Sequence, residues 1–117
     1  MKIARGDVVL VDFPFTGGGN SKVRPAVVVQ CDQDNQRLTN TIVAMVTSRI
    51  SRADEPTQLL VRSNTDEGRQ MGLLMDSAVN CSNVFTIERR KILRLLGTIP
   101  SSRLPDLERC LRTALAI

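Results

Sequence analysis

Two β-branched runs, Val8 to Phe13 and Val23 to Cys31, flank a stretch with three consecutive glycines, Gly17 to Gly19. Valine, isoleucine and phenylalanine favour extended backbone, and the glycines between them favour a turn. The pattern predicts a hairpin. Both faces of the first run are largely apolar, which predicts an interior strand that ends at Pro14. The second run opens on Val23-Arg24-Pro25. Proline disfavours helical backbone in the residue before it and has no N–H to donate. Arg24 is therefore expected on stiff, extended backbone at a strand start or sheet edge, beside the mouth of a loop spanning Thr16 to Lys22.

Further strands are expected at Thr41 to Arg49, Thr57 to Arg62, Gly72 to Asn80 continuing at Asn83 to Ile87, and Ile92 to Ile99. In the run Thr41 to Arg49, Val43, Met45 and Thr47 fall on one face, and Ile42, Ala44, Val46 and Ser48 on the other. Asp32 to Asn40 and Asn64 to Arg69 are polar and read as turns. Ile50 to Pro56 reads as a charged connection. Leu104, Leu107, Leu111, Ala114 and Leu115 recur at helical spacing, with Ser101 or Ser102 as the cap and Pro105 in the first turn. Hairpin-like strands followed by one helix predict a mainly β chain (α+β), with one curled antiparallel sheet and a C-terminal helix packed on it. No repeat or boundary divides residues 1–117, so one domain is expected.

Composition narrows the chemistry. The chain has no histidine, so no histidine acid, base or zinc ligand can operate. Its cysteines, Cys31, Cys81 and Cys110, form no CxxC pair, and free thiols in a reducing cytosol are expected. No signal peptide or membrane-spanning run is visible. Net charge is +4, a modest pull towards anionic partners. With no tryptophan or tyrosine, base stacking is not expected to dominate binding.

RGDVVLVDFPF, a Gly/Ser loop, RPAVVVQ, TIVAMVTSR and GLLMDSAV occur in that order. Together with FTIERRKILRLLGTIPSSRLPDLERCLRTAL they resemble the MazF/PemK group of toxins over almost the whole chain. The resemblance implies an SH3-like curled barrel, a homodimer and a sequence-specific, metal-independent endoribonuclease without cofactors. It also implies a cytoplasmic protein that acts on single-stranded RNA and is neutralised by a cognate antitoxin. By the same resemblance, Arg24 and Thr47 carry the chemistry, and Asp76-Ser77 matches a pair in the following strand. The chain departs from many relatives at Asn80, Cys81, Ser82 and Asn83, which bears on base preference.

RNA carries its own nucleophile, the 2′-hydroxyl, so a site without metal or histidine can still cleave it. Such a site must align that oxygen with the leaving 5′ oxygen and stabilise charge on the phosphoryl oxygens. A guanidinium fork suits the second task. Arg24 is assigned to bind the scissile phosphate and to deliver a proton to the leaving group, and Thr47 to support the same oxygens. The bland readings are a solvated loop-end arginine and a threonine kept for its β-propensity. Ser48 is the alternative hydroxyl. Lys22 can touch a neighbouring phosphate, and Asp76 and Ser77 base edges; the other reading of Asp76 is a carboxylate that satisfies a turn. The glycine run reads as a lid over an RNA groove or as an ordinary loop. Arg89, Arg90, Lys91 and Arg94 are either a solvated face or an attraction for RNA or an acidic antitoxin tail.

Two other functions compete. One is a gyrase poison like CcdB, whose fold is similar, although the C-terminal Leu115-Ala116-Ile117 lacks the expected tryptophan. The other is a non-catalytic SH3-like module, which would need an aromatic-lined groove.

Overall fold

The computed structural model describes residues 1–14 and 21–117. The predicted hairpin is present: β1 (Asp7–Pro14) pairs antiparallel with β2 (Ser21–Val28), from Val8 opposite Val27 to Pro14 opposite Ser21. The lid or loop reading of Gly17, Gly18 and Gly19 lies outside the described residues. Four more strands follow: β3 (Asn40–Thr47), β4 (Gln58–Val61), β5 (Ser77–Glu88) and β6 (Ile92–Thr98). They form one antiparallel sheet in the order β4-β5-β3-β2-β1-β6. The expected curled sheet with a C-terminal helix is borne out, but the sheet stays open, with β4 and β6 as its edges.

Both faces of the sheet are apolar, as the continuous β1 run requires. Val8, Val27, Ala44, Val46 and Val79 face the C-terminal helix α3 (Leu104–Leu115), where Leu107 and Cys110 are buried. Val9, Val11, Ala26, Val28 and Val43 face the other way, with Ile3, Phe13, Ile87 and Ile92. Full burial of a side chain such as Leu107 contributes roughly 1.5–3 kcal/mol. Pro105 lies in the first turn of α3 as expected. The serine cap is not formed. Ser101–Arg103 makes a 3-10 turn, which moves the cap position to Arg103. Arg103 instead bonds Asp106 at 2.9 Å and Glu67 at 2.6 Å, tying the helix start to the segment beneath it.

Several sequence-based boundaries change. Residues read as turns form two short helices, α1 (Asp32–Arg37) and α2 (Asp66–Gln70). In α1, buried Asn35 accepts from Gln30 Nε2 at 3.0 Å and from Thr41 Oγ1 at 2.7 Å. These partners, just before and just after the helix, hold it in place. The stretch read as a strand from Gly72 begins pairing only at Ser77, because Gly72 takes a left-handed φ of +71°. The two expected strand pieces beyond it are one strand, β5. Asn80 pairs with Met45 and Val84 with Ala44, which leaves Cys81, Ser82 and Asn83 as a bulge. Pro25 lies inside β2 rather than at its start. It is tolerated there because β3 pairs with β2 only from Ala26 onward.

Candidate functional site

The end of the β2–β3 ladder makes the site. Ala26 opposite Met45 is the last pair, and beyond it the strands separate. Arg24 and Thr47 lie two residues further along on each strand. Because side chains alternate along a strand, both project on the face of Ala26 and Met45. They line one cavity of about 610 Å³. Lys22, Arg49 and Arg52 also line it, as do Gln58, Asn80 and Asn83, and among the described residues no carboxylate belongs to its wall. Arg52 is neutralised in part by Glu55 at 2.7 Å.

The Arg24 side chain is half-buried and makes no hydrogen bond or ion pair with any described residue. Its five guanidinium donors are therefore not used by the described residues, and an anion would suit them. Thr47 is oriented by the backbone. Its Oγ1 accepts from the Arg49 N–H at 3.1 Å, which leaves its hydroxyl hydrogen to donate.

Ser48 points the other way. It lines a second cavity of about 600 Å³ on the α3 face, with Leu10, Val23, Pro25, Leu73 and Ser77. This cavity is apolar over most of its wall, and Arg24, Lys22 and Arg94 stand at its margin. Arg24 and Lys22 thus border both cavities, while the adjacent hydroxyls of Thr47 and Ser48 are divided between them. Ser77 is buried and donates to the Met75 carbonyl at 2.7 Å.

Asp76 lines neither cavity. Its carboxylate accepts from Ser63 N–H at 2.9 Å and Ser63 Oγ at 3.2 Å, and from Arg62 at 3.0 Å. The Ser63 N–H and the Arg62 guanidinium hold it below the usual carboxylate range. Those contacts are the ones the turn-satisfying reading describes. The basic run also disperses. Arg89 donates to the carbonyls of Asn35, Leu38 and Met1; Arg90 pairs with Glu88; Arg94 alone reaches the site.

Sequence reasoning did not assign Arg49, Arg52 or Gln58 to the site. Asn80 and Asn83 stand in the sequence only as a departure bearing on base preference; Asn80 reaches the cavity wall through its pairing opposite Met45, and Asn83 through the β5 bulge. Period-2 alternation carried from Met45 to Thr47, and across to Asn80, was the signal available.

A family model described as PemK-like, MazF-like toxin of type II toxin-antitoxin system matches residues 4–115. Solved structures share the fold. A MazE-MazF structure from Deinococcus radiodurans matches with TM-score 0.76 and 18% identity, over 100% of this chain and 99% of that chain. An endoribonuclease in complex with its cognate antitoxin, from a Mycobacterial species, matches with TM-score 0.75 and 20% identity, covering 98% and 96%. The Mycobacterium tuberculosis toxin MazF-mt6 matches with TM-score 0.73 and 23% identity, covering 93% and 97%.

Proposed function

This chain belongs to the PemK-like, MazF-like toxins of type II toxin-antitoxin systems, and from that membership we propose a sequence-specific, metal-independent endoribonuclease. The observation that carries the proposal is Arg24: a half-buried guanidinium with no partner among the described residues, on one face with Thr47, in a cavity lined by further cations. Solved structures of the same fold include an endoribonuclease.

The scissile phosphate sits against Arg24 and Thr47. The 2′ oxygen gives its proton to water and bonds phosphorus as the bond to the 5′ oxygen breaks. That oxygen takes up a proton delivered through Arg24, so the products are a cyclic phosphate and a free 5′-hydroxyl. Arg24 and Thr47 stabilise the charge that grows on the phosphoryl oxygens. Each placed donor of this kind is worth roughly 3–4 kcal/mol. Lys22 and Arg49 hold neighbouring phosphates, and Ser48 and Ser77 contact RNA on the second cavity; the Asp76 carboxylate, taken up by Ser63 and Arg62, has no support for a contact to RNA. A reaction without metal is supported by the donor set, which is cationic and amide-rich rather than acidic.

A cognate antitoxin neutralises the protein. The support is that solved neighbours include complexes named for toxin and antitoxin, and that an apolar cavity beside a cationic one suits an acidic segment with apolar side chains. A homodimer is supported by the exposed apolar side chains of Val23, Leu74, Met75 and Leu95, which line the second cavity and would put it at the dimer seam; Leu74 is 94% exposed. The proposed location is the cytoplasm; no helix among the described residues is long and apolar enough to cross a membrane. The gyrase-poison reading gains no support from the family match.

The test is incubation of purified protein with mixed-sequence RNA in chelator, followed by mapping of the cut ends. Recurrent cuts with 5′-hydroxyl and cyclic or 3′ phosphate ends are expected. Intact RNA, or 5′ phosphate ends, would refute the reading.

A further inference from the structure

Gln58 is an anomaly at the edge of the cationic cavity. It is 7% exposed, and its Oε1 is sealed from solvent with no hydrogen-bond partner among the described residues. A buried acceptor left unmade is costly, and an apolar side chain of the same shape would avoid that cost. Gln58 nevertheless lines the cavity that contains Arg24 and Thr47.

Its cross-strand neighbour complements it. Gln58 on β4 pairs with Asn80 on β5, and Asn80 lies opposite Met45 on β3. All three share the face that carries Thr47. Asn80 Oδ1 accepts from the Ser82 N–H at 3.0 Å. That bond fixes which end of the amide is used and leaves the Asn80 N–H donors for another partner. An unfilled acceptor thus stands beside spare donors. Strands lie about 5 Å apart, so Gln58 is roughly 10 Å from β3 across the sheet. That is the reach of one nucleotide from a phosphate held at Thr47.

We propose that Gln58 and Asn80 read the Watson–Crick edge of one base flanking the cut. Single-stranded RNA exposes that edge to side-chain amides. The base carries a projecting amine beside a ring-nitrogen acceptor, as adenine and cytosine do. The amine reaches the recessed Gln58 Oε1, and the ring nitrogen accepts from Asn80. A ring N–H, flush with the base edge, reaches a recessed acceptor less well, which disfavours uracil. This assignment rests on the RNA-cleaving reading and adds to it the residues that choose one base.

The test uses RNA pools in which one position at a time around a mapped cut is randomised. Wild type, Gln58→Met and Gln58→Glu are compared, and binding is measured in parallel to the same RNAs made uncleavable by a 2′-deoxy nucleotide at the cut. Wild type is expected to prefer adenine or cytosine at one flanking position. Gln58→Met should lose about tenfold of that preference at that position alone. Its thermal midpoint should not fall, because a near-isosteric apolar side chain removes the unmade acceptor. Gln58→Glu keeps an acceptor and should keep the preference. An unchanged preference profile in Gln58→Met, with cutting intact, overturns the assignment and leaves the nuclease reading standing. If wild type neither cuts nor binds RNA, both readings fall.

Discussion

Replacing Arg24 should separate activity from stability. The side chain makes no hydrogen bond or ion pair with described residues, so none of them depends on its charge. Arg24→Ala should therefore change unfolding free energy by no more than about 0.5 kcal/mol, the usual range for such positions. Its effect on chemistry should be large. Loss of a placed transition-state donor costs roughly 3–4 kcal/mol, about 10²- to 10³-fold in the cleavage step. Arg24→Lys keeps the charge but replaces a planar fork with a single point charge. It should fall between, with a loss of at least about tenfold. The assay is single-turnover cleavage of one RNA, paired with urea unfolding of the same preparations. Removal of one phosphate contact should also flatten the salt dependence of RNA binding by about 0.7 in log–log slope. Equal cleavage by wild type and Arg24→Lys would refute the fork argument. A strongly destabilised Arg24→Ala would refute the claim that this arginine is spare in the fold.

Thr47→Ala should slow cleavage by about tenfold or more, whereas Ser48→Ala should leave the rate within about twofold, because the two hydroxyls open on different cavities; single-turnover rates of the two variants decide it. Gly97→Ala should destabilise by about 3 kcal/mol, since an added Cβ would stand 2.2 Å from the Gln70 carbonyl oxygen, a backbone atom that cannot swing aside; a thermal midpoint within about 2 °C of wild type would contradict this. Burial pushes the Cys81 thiol up to about 12 from the ordinary 9.0, and neighbouring Cys110 adds to the shift. The raised value favours the neutral thiol in the folded state, so this contribution is complete below pH 9.0 and is lost as pH rises towards about 12. Urea unfolding between those limits should show a decline that Cys81→Ala reduces.

The parts of the fold that sequence reasoning reached are those governed by local pattern. The continuous valines of β1 placed it in the interior, because only a strand buried on both faces can dispense with alternation. The alternation from Val43 to Ser48 sorted two hydroxyls onto opposite faces, and the cavities bear out that division. The sequence pattern does not show α1 and α2, because each is shorter than two turns and depends on partners outside the helix. Asn35 bonds Gln30 and Thr41 on either side of α1, and Asp32 accepts from the distant Arg5 N–H at 2.7 Å. Leu73, Leu74 and Met75 look like strand residues, yet the turn at Gly72 leaves Leu74 exposed as part of a loop. Arg24 and Thr47 could each be singled out, but not their meeting. That depends on where the β2–β3 ladder stops, which no single strand encodes. Gln58, Asn80 and Asn83 entered the site through pairing register alone.

The central claim is that this protein lets RNA cut itself, by holding a phosphate between Arg24 and Thr47. The most direct measurement replaces one ribonucleotide, the one 5′ to a mapped cut, with its 2′-deoxy form and follows cleavage in chelator. The account predicts that the RNA still binds and that cutting at that phosphate stops, because the nucleophile is gone. Continued cutting at the same bond would mean that water or a protein group attacks the phosphorus, and would contradict it.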